Sequence, residues 1–315
     1  MTLGSLGRAA VGAAVHWSGA GRAFQMATRA AGAIILMYHS VAQDEEARFI
    51  EPANRIAPRL FERQMAFLRE GRRVVALSQM VDDLVRGRTP PAGTVCITFD
   101  DGYRDNLTVA APILEQYRLP ATLFLATGYV ERAQTQWSDT LYWLLGGHPC
   151  SAGLHSCLLE ANYEERMKLL AGLQRAAPPA ARPPRLMLDW DDARRLVRRY
   201  PLFEIAGHTR DHIDLTRHPG EARAQIEGCA EDLRRELGVE AQHFAFPYGR
   251  SCAGTRQAVI DAGWRSAVVA DAARRIGPET DRYAMPRIET PRSMTQLRFK
   301  TSGAYPGALS LLGLS

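Results

Sequence analysis

Two short polar clusters carry the chemistry of this chain: Thr98-Phe99-Asp100-Asp101-Gly102-Tyr103 and, about a hundred residues on, His208-Thr209-Arg210-Asp211-His212. An apolar run precedes each cluster, and in α/β folds the carboxyl ends of buried strands are where active sites are built. Side chains that follow one another at a strand end point in different directions, so one of the two acids can bind a metal while the other faces a substrate. Two imidazoles four residues apart reach one ion if the loop between them curls like a helical turn. One carboxylate then completes a three-ligand face with open positions for water and substrate. The remaining acid is free to act as a base. Asp-Asp-Gly alone is a common turn, and His-x-x-x-His alone is more often two unrelated histidines; the strand before each is what joins them. A third cluster, Phe244-Ala245-Phe246-Pro247-Tyr248-Gly249, reads as a strand end followed by a turn whose backbone N–H groups face outward, a donor set suited to an oxyanion.

The elements that would position these residues follow from periodicity. Short apolar runs at 33–38, 94–99, 121–126, 203–206, 243–246 and 266–270 have the length and the Val, Ile and Phe content of buried parallel strands. Helical patterns lie between them at 57–70, 77–86, 189–199, 219–237 and 254–262, and strands alternating with helices wind into a parallel sheet or barrel. Asp189 is placed to cap a helix through the backbone of Asp192, and Glu221 puts an acid in a first turn. Residues 146–184 break the rhythm, with a Gly-Gly-His-Pro turn at one end and a proline cluster at the other, and read as a helical insertion in a domain that runs over 34–290. Residues 291–315 form a C-terminal tail, apolar from 305 to 314.

With 315 residues, 46% of them hydrophobic and 23% charged, the chain can bury a full core, which excludes disorder as its default state. The net charge of +5 arises from arginine, since Lys168 and Lys300 are the only lysines. Those arginines are interleaved with acids along the chain, a pattern that points away from nucleic acid. No Walker-type phosphate loop is present, and Gly19-Ala20-Gly21 follows no strand, which sets nucleotide binding aside. Cys96, Cys150, Cys157, Cys229 and Cys252 show no paired spacing, as expected of free thiols in a reducing compartment. Arg8, His16, Arg22 and Arg29 interrupt every apolar stretch of the 1–33 extension, so a cytoplasmic protein is expected. Leu3, Leu6, Ala10, Ala14 and Trp17 have the spacing of an amphipathic helix and allow peripheral contact with the inner membrane face.

The three clusters, in this order, resemble the polysaccharide deacetylase family that shares the NodB homology domain (carbohydrate esterase family 4), over roughly 34–289. The resemblance implies a distorted (β/α) barrel with Asp100 as catalytic base. It implies that Asp101, His208 and His212 hold one divalent ion, zinc first, with cobalt, nickel or manganese as alternatives, and that the Tyr248 N–H lies in the oxyanion hole beside Pro247. Most members end in Leu-x-His, whose histidine is the general acid, yet no histidine follows His243 here. Ile35-Leu36-Met37-Tyr38-His39 instead resembles the start of the poly-N-acetylglucosamine deacetylases of biofilm systems, in which the barrel is circularly permuted; His39 is assigned as the acid on that ground. Many members also carry an arginine where Ala245 stands, and Arg287, beside Pro286, is the cation expected to replace it.

The expected reaction is hydrolysis of a linear amide, removal of N-acetyl groups from an amino-sugar polysaccharide or oligosaccharide with release of acetate, as in exopolysaccharide biosynthesis. Tyr103 and Trp137, with Tyr142 or Trp143, are the aromatics expected to stack on sugar rings. O-deacetylation, a lipid-linked sugar substrate and a non-catalytic glycan-binding protein are the competing readings, and the motifs leave the oligomeric state open.

Overall fold

A computed structural model of the chain describes residues 32–176, 183–240, 242–270 and 275–302. The expected amphipathic helix near the amino terminus and the apolar 305–314 tail lie outside the described residues. Eight strands alternate with helices: β1 (Ala33–Tyr38), β2 (Arg73–Val74), β3 (Thr94–Asp101), β4 (Ala121–Leu125), β5 (Phe203–Gly207), β6 (His243–Ala245), β7 (Ser266–Ala270) and β8 (Met285–Glu289). Their neighbours run β1-β8-β7-β6-β5-β4-β3, and β1 also pairs with β3, so seven strands close a ring. Every pairing is parallel, from Ala33 opposite Thr94 to Ile35 opposite Arg287. The chain is the expected parallel (β/α) barrel. β2 pairs with Thr94 and Val95, behind the Thr98–Asp101 stretch of β3 that pairs with β4, and so stands outside the ring.

The barrel follows from the period-2 alternation of each strand. Ile35, Cys96, Phe124, Ala206, Ala245, Val268 and Met285, one from each ring strand, form a single buried interior cluster, joined by Leu77, Met80 and Val81 of the helix Leu77–Val85. The alternate positions, among them Leu36, Tyr38, Ile97, Phe99, Leu123, Ile205 and Phe244, face outward into a second cluster with the surrounding helices. The helix Pro58–Gly71 begins on proline, which suits a first turn, and spaces Phe61, Met65 and Leu68 along its buried face. The helix Trp190–Arg199 is capped as expected, the Asp189 side chain accepting the Asp192 N–H at 2.8 Å.

Two expectations shift. Glu221 occupies the cap position of the helix Ala222–Leu237, with no capping bond from its side chain, and the first turn holds no acid. β2 is too short to carry a readable alternation. All five thiols are free. No helix among the described residues is long and apolar enough to cross a membrane.

Candidate active site

Because all ring strands run parallel, their carboxyl ends share one mouth of the barrel, and the three polar clusters meet there. Along β3 the alternation puts Cys96, Thr98 and Asp100 on the same, inward side. Arg287, two residues beyond Met285 on β8, points inward as well and donates from Nη1 and Nη2 to the two oxygens of Asp100 at 2.6 and 2.7 Å. Both side chains are buried, and the guanidinium also lies 5.3 Å over the Phe124 ring. Burial alone would raise the proton affinity of Asp100, but the Arg287 charge and its paired hydrogen bonds, with His208 and His39 nearby, hold the carboxyl down at about 2. The cation missing at Ala245 thus arrives on β8.

Asp101 would face outward if the strand continued, but its φ of 75° breaks the alternation and swings the carboxylate back across the mouth. Its Oδ1 comes to 3.5 Å from His208 Nε2 and 3.3 Å from His212 Nε2. The His208 Nδ1–H donates to the Ala245 carbonyl at 2.8 Å, which leaves Nε2 as a bare lone pair. Asp101 Oδ1 is buried and has no hydrogen-bond partner. Burial pushes both imidazoles toward the neutral form, while burial and the neighbouring Asp100 charge push Asp101 well above the usual carboxylate range. Asp101, His208 and His212 bring three buried ligand atoms within 4.8 Å of one another, and no hydrogen bond satisfies Asp101 Oδ1. The chemistry that satisfies such a set is a divalent cation, and one carboxylate with two imidazoles suits zinc and its neighbours.

The His208–His212 loop is bent by positive φ at Thr209 and His212 and clamped from two sides. Thr127 and Gly128 donate their N–H groups to the carbonyls of Thr209 and Arg210, and Gln225 Oε1 accepts the N–H of Arg210 and Asp211. On the far side, the Tyr248 ring packs 4.8 Å from that of His212, and its hydroxyl donates to the His212 carbonyl at 3.1 Å while accepting from Trp137 Nε1 at 2.9 Å.

Tyr248 has φ 58° in a turn where the Gly249 N–H bonds the Phe246 carbonyl and the Arg250 N–H that of Pro247. Pro247 is buried and shapes this turn rather than offering a surface. At Gly249, φ is +65° and a Cβ would lie 2.1 Å from Ala270 Cβ and 2.3 Å from the Ala270 nitrogen. Gly249→Ala combines left-handed strain with a backbone clash and is expected to cost about 2–4 kcal/mol. It should also displace the Tyr248 N–H. Urea unfolding checks the first effect and turnover of the folded fraction the second.

His39 follows β1 and is half-buried at the same mouth. Burial lowers its ring to about 4, against the Asp100 charge that raises it. The loop it stands on is fixed by Asn106, which donates to the His39 carbonyl at 2.8 Å, and by buried Asp105, which accepts from the Ser40 hydroxyl and from the Val41 N–H at 3.0 Å.

Two expected sugar-stacking residues are elsewhere employed. Tyr103 is fully buried and donates its hydroxyl to Asp139 at 2.7 Å; Trp137 is 2% exposed and sits under the Arg166 guanidinium. Neither face is open to a ring, because both side chains tie the helix Trp137–Leu144 to the barrel mouth; Tyr142 and Trp143 remain partly exposed. Asp139 also accepts the Glu51 N–H at 2.8 Å, and its burial raises its carboxyl to about 7 against an ordinary 3.8. A folded state that binds this proton more tightly than the unfolded chain loses stability as pH rises from about 4 to about 7 and no further above. Asp139→Asn keeps one oxygen for Glu51, and the Tyr103 hydroxyl can reverse to accept from the amide. The substitution should therefore flatten the decline in unfolding free energy between pH 5 and pH 8.

Comparison with known proteins agrees with this geometry. A family model described as polysaccharide deacetylase matches residues 87–267. The Bacillus subtilis protein YxkH, named for the same activity, is 34% identical over 92 residues, 29% of this chain and 30% of that protein's length. Among solved structures, the Streptococcus pyogenes deacetylase PplD in complex with acetate (20% identity, TM-score 0.59) covers 86% of this chain and 97% of its own. IcaB from Ammonifex degensii (21% identity, TM-score 0.60) covers 87% and 98%. At these identities the two structures establish the barrel alone, while the family model spans more than half of the sequence and contains the Asp100-Asp101 and His208/His212 clusters. The chain belongs to the polysaccharide deacetylase family.

Proposed function

We propose that the protein is a metal-dependent hydrolase that removes N-acetyl groups from an amino-sugar-containing polysaccharide or oligosaccharide and releases acetate. The observation that carries this reading is the convergence of Asp101 Oδ1, His208 Nε2 and His212 Nε2, three buried ligand atoms of which Asp101 Oδ1 has no hydrogen-bond partner, beside an ionised Asp100. Bound among those three ligands, a divalent cation such as zinc would polarise the acyl carbonyl and make a water acidic enough for a base as weak as Asp100.

Asp100, ionised across the physiological range and fixed by the two-pronged Arg287 contact, accepts a proton from the attacking water. The Tyr248 N–H, held in the Pro247–Gly249 turn, serves as a donor to the carbonyl oxygen as negative charge develops there. His39 delivers a proton to the departing sugar nitrogen as the C–N bond breaks. Its ring stands neutral at rest, so the proton it delivers is first taken up from solvent, to which the ring is partly exposed, or passed on from the water proton that Asp100 has accepted. One amide and one water become acetate and a free amine. The role of His39, just after the first strand, is the one that the resemblance to the permuted biofilm deacetylases implies, and acetate, present in the PplD structure, is the product this reaction would release. We place the enzyme in the cytoplasm, where its free thiols are stable, acting on an oligosaccharide or lipid-linked precursor.

Acetate release from N-acetylglucosamine oligomers compared with O-acetylated xylo-oligomers tests the reading. Preference for the amide supports it. Turnover of the ester alone would reassign the enzyme as an O-deacetylase, and no turnover of either would favour a glycan-binding protein.

A further inference from the structure

The two histidines at the mouth are held in different ways. His208 is oriented through its ring, by the bond from Nδ1 to the Ala245 carbonyl. The ring of His212 has no such anchor, since its Nδ1 is buried without a partner, and its backbone sits at a φ of 48° that a non-glycine residue adopts only when its surroundings impose it. His212 is fixed through its backbone: the N–H donates to Thr209 Oγ1 at 3.0 Å within its own loop, and the carbonyl accepts two hydrogen bonds from outside it, one from Tyr248 Oη at 3.1 Å and one from Arg166 Nη1 at 3.2 Å.

Arg166 has no surface role. It is 0% exposed, and its other donors go to the carbonyls of Leu158 at 2.8 Å and Ala161 at 3.0 Å. Among the described residues no carboxylate pairs with it. Its guanidinium lies 5.0 Å over the Trp137 ring, and Trp137 in turn donates to the same Tyr248 hydroxyl that bonds His212. Three side chains and one carbonyl therefore close a circuit: Arg166 on Trp137, Trp137 on Tyr248, and both Arg166 and Tyr248 on the His212 carbonyl. A buried cation without a counter-ion costs several kcal/mol, and one beside a cation site opposes the incoming charge as well. Packing alone would be met at no such cost by a neutral side chain of similar volume.

Resting on the metal-dependent reading, we propose that Arg166 is a positioning residue that holds His212 in its metal-ligating pose, so that the helix Tyr163–Ala176 completes the active site rather than decorating the barrel. The guanidinium supplies from the backbone side the orientation that His212 lacks at its ring. Loss of such an outer partner weakens metal binding by about 10–100-fold in comparable sites.

The test is the zinc affinity of the full-length protein, measured by chelator competition, together with the visible absorption of its cobalt form. Arg166→Met, which keeps volume but removes the donors, should weaken zinc binding by about 10–100-fold and shift the cobalt bands. Leu170→Ala, a cavity on the same helix and in the same apolar cluster, should lower stability and leave both readouts unchanged. Should Arg166→Met fail to fold, Arg166→Lys retains the charge but not the three-way fork, and a smaller loss of zinc affinity is expected. Wild-type zinc affinity in either folded variant overturns the proposal while leaving the functional reading intact. Absence of zinc binding by the wild-type protein overturns both.

Discussion

Asp100→Asn is expected to lower the turnover of acetate release by about 10²–10⁴-fold, the range that general-base catalysis supplies, while zinc affinity stays at the wild-type level. The amide is nearly isosteric with the carboxylate but cannot take up the proton of the attacking water. The three ligating atoms belong to Asp101, His208 and His212 and are untouched by the change. Asp100 is not a passive wall residue, since both its oxygens are engaged by Arg287, so the substitution also leaves a buried guanidinium short of one acceptor. Some loss of stability must therefore accompany the loss of rate. Unfolding measured beside turnover and zinc binding separates the two: a variant that is folded, zinc-loaded and inactive identifies the base, and near-normal turnover removes Asp100 from that role.

Arg287→Ala should be damaging for a different reason. From the sequence, Arg287 is a cation near the base, and its loss is expected to depress turnover far more than protein yield. The structure changes that expectation, because Arg287 and Asp100 are 1% and 2% exposed and form a two-bond ion pair. Removing one member of a buried pair costs about 3–5 kcal/mol, so yield and turnover should fall together. The pH dependence gives the sign. In the wild type the Asp100 carboxyl is held below its unfolded value, so its contribution is complete above the ordinary carboxylate range and fades only as pH falls toward about 2. Without Arg287, burial dominates and raises the same carboxyl, and the variant gains stability as it is acidified. The stability gap between the two proteins should therefore narrow between pH 7.5 and pH 5 in urea unfolding. Arg287→Lys, which keeps the charge but not the fork, should fall between them. A gap that does not change with pH would show that the pair does not set the state of Asp100.

Much of the barrel is legible in the sequence because a parallel strand buried on both faces is a mostly apolar run. β1, β3, β4, β5, β6 and β7 each coincide with such a run to within two residues. β8 is not legible in this way, since Met285–Glu289 includes a proline and two charged residues and lacks that signature. The clusters at the mouth were legible because chemistry fixes both residue type and spacing there. What periodicity could not show is which neighbour a long side chain reaches. Tyr103 and Trp137 looked like sugar platforms by composition, yet Asp139, Tyr248 and Arg166 draw them into the interior. Arg166 left no local signal, because its partners are backbone carbonyls at residues 158, 161 and 212, and a carbonyl carries no residue identity. The left-handed φ of Asp101, which decides which acid meets the histidines, is likewise invisible in an Asp-Asp pair.

The most direct test of the metal-dependent site is acetate release from N-acetylglucosamine oligomers by metal-stripped protein as zinc is added back in substoichiometric steps. Activity that is absent at the start, rises linearly and saturates at one zinc per chain is the expected result, with no recovery in His208→Ala. Full activity before any metal is added, or zinc bound at that stoichiometry without acetate release, would contradict the account.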